Sequence, residues 1–228
     1  MRFHPTFALA VLLVAMAAGP LNAQGFKFSQ PDTAGQAEEA AKQERIMQQI
    51  STPCRAEIKG KKIAVIIGEV QSNGLIAAQQ QNYGPHFQAI NGRLRSLGLT
   101  TYTPEEIRRQ IAQAEIDAYF RNDPDAALNA AKRLGASFIL RGLISSQAVF
   151  NPIVQVNQVS VDMGFTLSGS NGRIISDTQA SSSSYAGMDV SRMALTLVNE
   201  QADEVVAKLY ADYCNNAGLT QASRPAKK

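Results

Sequence analysis

The sequence predicts an α/β (α+β) fold: a mixed sheet with a C-terminal antiparallel three-strand meander, packed against three to four helices. Three observations carry this expectation. Residues 136–185 divide into three strand-like runs, 137–149, 154–168 and 173–185. Ahead of them, Ile63-Ala64-Val65-Ile66-Ile67 is an unbroken apolar run, rich in β-branched residues, of the kind found in strands covered on both faces. The remaining apolar stretches recur at helical spacing, so the chain reads strand, helix, short strand, two helices, three strands, long helix. Such an order builds helices onto a mixed sheet.

The first residues set a compartment. Arg2 is a positive leader, residues 7–18 are apolar, and Gly19-Pro20 breaks the run ahead of a small Ala23. This reads as a secretory signal peptide over residues 1–23, with the cut expected after Ala23. The alternative, a short membrane anchor, needs about 20 apolar residues and the run is shorter. No cysteine adjoins the cut, which argues against a lipid-anchored form, and no later stretch is apolar enough to span a bilayer. The expected location is the periplasm or the medium.

About 205 residues remain, enough for one domain with a real core. A net charge of +3 for the whole chain falls to about +2 once Arg2 is removed. That weak surplus argues against a nucleic-acid binder, which concentrates Lys and Arg on one face. Cys54 and Cys214 are the only cysteines. In an oxidising compartment an even count suggests one disulfide, here closing nearly all the patterned sequence; two free thiols is the alternative. Cys-x-x-Cys spacing, usual for a redox pair, is absent.

Residues 24–53, rich in Gln, Ala and Glu, read as an amino-terminal arm or peripheral helix, and a partner-binding segment is its functional reading. The domain proper is expected over 54–214. After the first strand, 68–84 is Gln/Asn-rich without a period and is expected to be a long loop. Phe87, Ile90, Leu94 and Leu97 then stripe a helix that stops at Gly98. Leu99 to Tyr102 supplies a short strand. Thr103-Pro104-Glu105-Glu106 starts the next helix with a capping box, and its buried side is marked by Ile107, Ile111, Ala114 and Ala118. Asp123-Pro124 repeats the device for a helix ending at Gly135.

In the middle strand of the meander, Val159, Val161, Met163, Phe165 and Leu167 alternate with polar or small residues, a period of two with one face on a core. Val154 and Val156 have the opposite parity, so a β-bulge is expected near Asn157-Gln158. Asn171-Gly172 predicts a type I′ turn. A long helix over 189–214 carries Val190, Met193, Ala194, Leu197, Val198, Val205, Leu209 and Tyr213 near one face. A coiled coil is the competing reading, with only three heptads available. Residues 215–228 lack a pattern and end basic, as a disordered tail would.

Reactive chemistry is sparse. His86 is the one histidine after the leader and reads as a helix-start residue rather than a base. No His/Cys/Asp group has metal-ligand spacing, and neither the Gly-x-Ser-x-Gly elbow nor the phosphate-cradling glycine loop is present. Ser181 to Ser184 reads as an exposed strand edge. Asp162 and Asp177 are expected to face each other across the hairpin with Arg141 nearby, a solvent-side charge group. No catalytic, cofactor or metal residue is assigned, and no enzymatic activity is expected.

Lys62-Ile63-Ala64-Val65-Ile66-Ile67, the stretch Ala130-Ala131-Lys132-Arg133-Leu134-Gly135-Ala136-Ser137-Phe138-Ile139-Leu140-Arg141-Gly142, and the turn Ser170-Asn171-Gly172-Arg173-Ile174-Ile175 together resemble a family of bacterial envelope domains. It is that of the curli secretion channel, the penicillin-binding-protein activator lipoprotein and the flagellar T-ring assembly protein, and the likeness spans about Lys62 to Tyr210. The resemblance implies a periplasmic accessory or assembly protein of an envelope machine, contacting envelope proteins and possibly itself in a ring-type homo-oligomer. A periplasmic binder of a small molecule or glycan, with 68–84 as lid, is the alternative, and a hydrolase with an unrecognised site the third.

Overall fold

The computed structural model describes residues 33–70, 76–77, 84–121, 123–187 and 189–222. Residues 1–32, which hold the expected leader and the start of the arm, and most of the loop 71–83 lie outside them.

Among the described residues thirteen elements follow one another: α1 Thr33–Ile50, α2 Arg55–Ile58, β1 Lys62–Val70, β2 Ile76–Ala77, α3 Pro85–Ser96, β3 Thr100–Thr101, α4 Pro104–Gln110, α5 Gln113–Phe120, α6 Pro124–Leu134, β4 Phe138–Asn151, β5 Val156–Gly169, β6 Ile174–Ala186 and α7 Val190–Ala222. They form one mixed sheet in the order β2-β1-β4-β5-β6, with β3 beside the start of β1. β4 runs parallel to β1, while β4, β5 and β6 make the antiparallel meander.

The apolar run of β1 explains the layering. Ile63 and Val65 point into a core shared with α3 and α7, and Ala64 and Ile66 into a second core under α4, α5 and α6. All four are 0–1 % exposed, so β1 is covered on both faces. The α7 stripe packs as its spacing predicts: Ala194, Leu197, Val198, Val205 and Leu209 are buried against the odd-numbered face of β5. On that face Phe165 fills the space that Gly142 leaves in β4. A Cβ on Gly142 would sit 2.5 Å from Phe165 Cε1.

Several local devices behave as the sequence requires. Thr103 and Glu106 exchange both bonds of a capping box, and Asp123 Oδ1 accepts from the amides of Asp125 and Ala126. α1 lies along α7: Ile46 is buried, Lys42 Nζ donates to the Glu200 carbonyl at 3.0 Å, and Arg45 meets Glu204 at 3.5 Å.

Four expectations need correction. The helix begun at Thr103 is two helices, because Glu115 Oε2 accepts from the Ala112 amide at 3.1 Å and starts α5. The loop between β5 and β6 is not a type I′ turn. Gly169 N donates to Arg173 O and Gly172 N to Gly169 O, and only Gly172 has positive φ (77°), the arrangement of a three-residue loop with a bulge glycine. The register shift lies between Leu167 and Ser168, not at Asn157-Gln158, which pair regularly. Val156 is the first residue of β5, in regular register with Asn151 and on the opposite face from Val159 and Val161, while Val154 lies in the turn 152–155, where Gln155 takes a left-handed φ of 56°. Finally, α7 continues through Ala222, past the boundary placed at Cys214. Asn216 Nδ2 holds that extension to the Ile175 carbonyl at 2.7 Å.

Candidate functional site

Cys54, just ahead of α2, and Cys214, in the last third of α7, are bonded, with Cα atoms 5.6 Å apart across 160 residues of sequence. Around this link, Tyr210 Oη donates to the Thr52 carbonyl at 2.5 Å and accepts from the Cys54 amide at 3.4 Å. Lys61 Nζ donates to Tyr213 Oη at 3.0 Å and lies 5.7 Å from the centroid of the Phe138 ring. The bond therefore sits in a packed joint between the start of the domain and its last helix.

His86 occupies the first turn of α3, placed by Pro85 at the first helical position. Its Nδ1 lies 3.2 Å from Glu69 Oε1 at the end of β1. The hydrogen bond from His86 holds the Glu69 carboxyl below the usual glutamate range, against the opposing effect of partial burial. Glu69 remains largely exposed, so the pair is a surface tie between strand and helix. Among the described residues no group of three His, Cys, Asp or Glu could hold a metal ion.

On the outer face of the meander, Arg141, Thr166 and Asp177 form one cross-strand row, and Thr166 Oγ1 donates to Asp177 Oδ2 at 3.0 Å. Asp162 lies in another row, between Ser145 and Ser181. Four residues along β5, about 13 Å, separate the rows. The expected meeting of Asp162 with Asp177 therefore does not occur. Asp162 instead lines an open groove of about 400 Å³ with Val70, Leu143, Ser145, Gln179 and Ser181. Its lining sets the hydroxyls, amide and carboxylate of Ser145, Ser181, Gln179 and Asp162 beside the apolar Val70 and Leu143.

The distal end of the sheet is different in kind. β4 and β5 stay paired out to Asn151 and Val156, beyond the last residues that β4 shares with β1. From Gly142 to Val161 the chain has no charged residue, nor from Thr178 to Met188. Of the seven exposed large apolar side chains among the described residues, five gather here: Val149, Phe150, Ile153, Val154 and Tyr185. Ile153, at the turn, is 88 % exposed. The turn is held by its own bonds. Asn151 Oδ1 accepts from the amides of Ile153 and Val154, and Gln155 Nε2 donates to the Pro152 carbonyl at 2.6 Å. β6 closes the sheet as its end strand, and Ser181 to Ser184 lie along it, alternating between its two faces.

A second surface feature lies between α3 and α7. Pro85, Ala89, Gly92 and Leu195 line an open, mainly apolar groove of about 720 Å³. Gly92 stands inside α3, where glycine costs about 1 kcal/mol relative to alanine. Gly92 is exposed, and among the described residues a Cβ there would meet nothing within 4 Å. Arg93, at the groove's rim, is already held by Asp203 and by the Ala89 and Asn199 carbonyls. The sequence reading missed both the apolar tip and the groove; the uncharged run flanking Pro152 was the available signal for the first.

No family model matches the chain, and no curated protein matches it. Among solved structures, it is similar to the lipoprotein GNA1162 from Neisseria meningitidis, at 13% identity and a TM-score of 0.45, over 64% of this chain and 97% of that one. It is also similar to the LpoB C-terminal domain from Salmonella enterica, at 16% identity and a TM-score of 0.39, over 61% of this chain and 93% of that one. A third likeness is to the PelC dodecamer from Paraburkholderia phytofirmans, at 16% identity and a TM-score of 0.39, over 67% of this chain and 88% of that one.

Proposed function

We propose that the chain is an exported, non-catalytic accessory or assembly protein of a cell-envelope machine, acting through protein–protein contacts. The observation that supports this most is the concentration of four exposed apolar side chains, Val149, Phe150, Ile153 and Val154, on one uncharged hairpin end, with Tyr185 on the neighbouring β6. Apolar side chains exposed singly need no explanation, whereas a gathered patch marks an interaction surface. The end strand β6 adds a second docking element, since an open strand edge is a template for another strand. The test is affinity purification from an envelope extract with the wild-type chain and with Phe150→Ser. A foreign envelope protein recovered in stoichiometric amount by the first and lost by the second is the expected result. Recovery of the chain alone, or equal recovery by both, refutes the reading.

The groove at Asp162 favours a second reading, a binder of a small polar molecule or glycan. Thermal stabilisation by a glycan that Asp162→Ala abolishes would support it over the first.

A further inference from the structure

We propose that the end of the sheet farthest from the hairpin tip docks on an anionic lipid surface. This goes beyond the accessory-protein reading and uses a different face of the molecule, about 40 Å from the tip along the 14 residues of β4. Several chain segments meet there. Gly60 N donates to Gly98 O and Thr100 N to Lys61 O, which ties the start of β1 to the end of α3 and to β3. Ser137 N donates to Lys62 O and Ser170 N to Ser137 O, which adds the start of β4 and the β5–β6 loop. Lys61 Nζ donates to Tyr213 Oη, which adds α7.

The charge of these segments is one-sided. Residues 58–68, 86–104, 126–161, 163–176 and 213–228 contain no Asp or Glu. They bring Lys59, Lys61, Lys62, Arg95 and Arg173 to this end. None of the five meets a carboxylate among the described residues, whereas Arg45, Arg93 and Arg192 each do. Of the nearby acids, Glu57 is offset by Arg55 on α2, and Glu106 accepts from the Thr103 amide at 2.7 Å. The negative end of a helix accounts for Arg95 and Lys59, at the C-termini of α3 and α2. It does not account for Lys62 or Arg173, on a strand and in a loop.

This arrangement suits a charged plane better than a peptide. From Thr101, whose hydroxyl holds Arg95 at 2.7 Å, across β1 and β4 to the β5–β6 loop is three strand spacings, about 14 Å. The backbone amides named above are already spent on carbonyls of this same end, so an extended acidic segment finds no open ladder in them. Spread point charges instead attract a field of headgroups, each strengthening attachment about fivefold. α7 also leaves at this end, where Asn216 reaches the Ile175 carbonyl, and Arg224, Lys227 and Lys228 follow it in sequence. Docked this way, the chain keeps its apolar tip clear of the lipid.

The exported chain is expected to sediment with vesicles of phosphatidylglycerol and phosphatidylcholine in equal parts. It should stay in solution with phosphatidylcholine alone and be released from the anionic vesicles by raised salt. Lys62→Gln and Arg173→Gln, both at exposed positions, should each weaken binding about fivefold, with urea unfolding unchanged. Phe150→Ser should leave vesicle binding unaltered, so this proposal and the accessory reading fail separately. Equal binding to both kinds of vesicle, no binding to the anionic ones, or binding indifferent to the two substitutions overturns the proposal. So does complete release by polyglutamate at matched charge, since an acidic protein segment is then the better occupant.

Discussion

The two halves of β4 are one strand with two fates. In the first half Leu140 and Ile144 are 0 % and 2 % exposed, beneath α3 and α7. In the second, Val149 and Phe150 are 57 % and 54 % exposed, although the pairing with β5 continues unbroken. The pairing with β5 is thus the same in both halves, and the distal half has lost its second partner, β1, together with its helical cover. A strand that outruns its cover keeps its order through the ladder and is free to use its side chains outwardly. The difference between core and surface in this sheet is set by where the helices stop.

That contrast can be broken from the core side first. Phe165→Ala removes the ring that covers Gly142, which has no Cβ of its own to occupy the space left. It is expected to cost about 3–5 kcal/mol in urea unfolding. Loss of the Cys54–Cys214 bond, by reduction or by a double Ser substitution, comes next. A loop of 160 residues contributes roughly 5 kcal/mol on chain-entropy grounds, with about 2–5 expected in practice. The comparison of unfolding midpoints with and without reductant measures it. Phe150→Ser tests the distal half: being half exposed and outside the helical cover, it should change stability by no more than about 0.5 kcal/mol. A larger loss would mean the tip belongs to the core.

The smallest expected effect concerns pH. Glu69 has its carboxyl lowered by His86, so the pair's contribution is complete above the ordinary carboxylate range and is lost as pH falls through the lowered value. Glu69→Gln should remove that small contribution at neutral pH, make no difference at strongly acid pH, and so flatten the acid limb of the stability curve slightly. An acid limb identical in both proteins would show that the tie contributes nothing.

Much of the architecture was legible because local chemistry and global packing agree. The run at Ile63, the caps at Thr103 and Asp123, and the α7 stripe each name their element and their buried face. Where the reading failed, a longer-range constraint decided. Ile107 and Ile111 fit one continuous helix, yet Glu115 caps Ala112 and starts another, allowing Ile111 and Ile116 to enter the same core. Asn171-Gly172 favours one turn in isolation, while the closing pair Gly169 and Arg173 selects another. The candidate surfaces were nearly invisible. Period-two alternation marks Val149 as strand without saying that no helix reaches it, and Gly92 in a helical stripe looks like any small residue.

The bonded pair Cys54 and Cys214 has a mechanical consequence. Tension applied between the helix that precedes Cys54 and the end of α7 is carried by the covalent link, across Cα atoms 5.6 Å apart, and the chain between the two cysteines bears none of it. The sheet is thereby isolated from any pull on its two ends. A chain tethered to large structures on either side can be tugged without its strands being peeled apart.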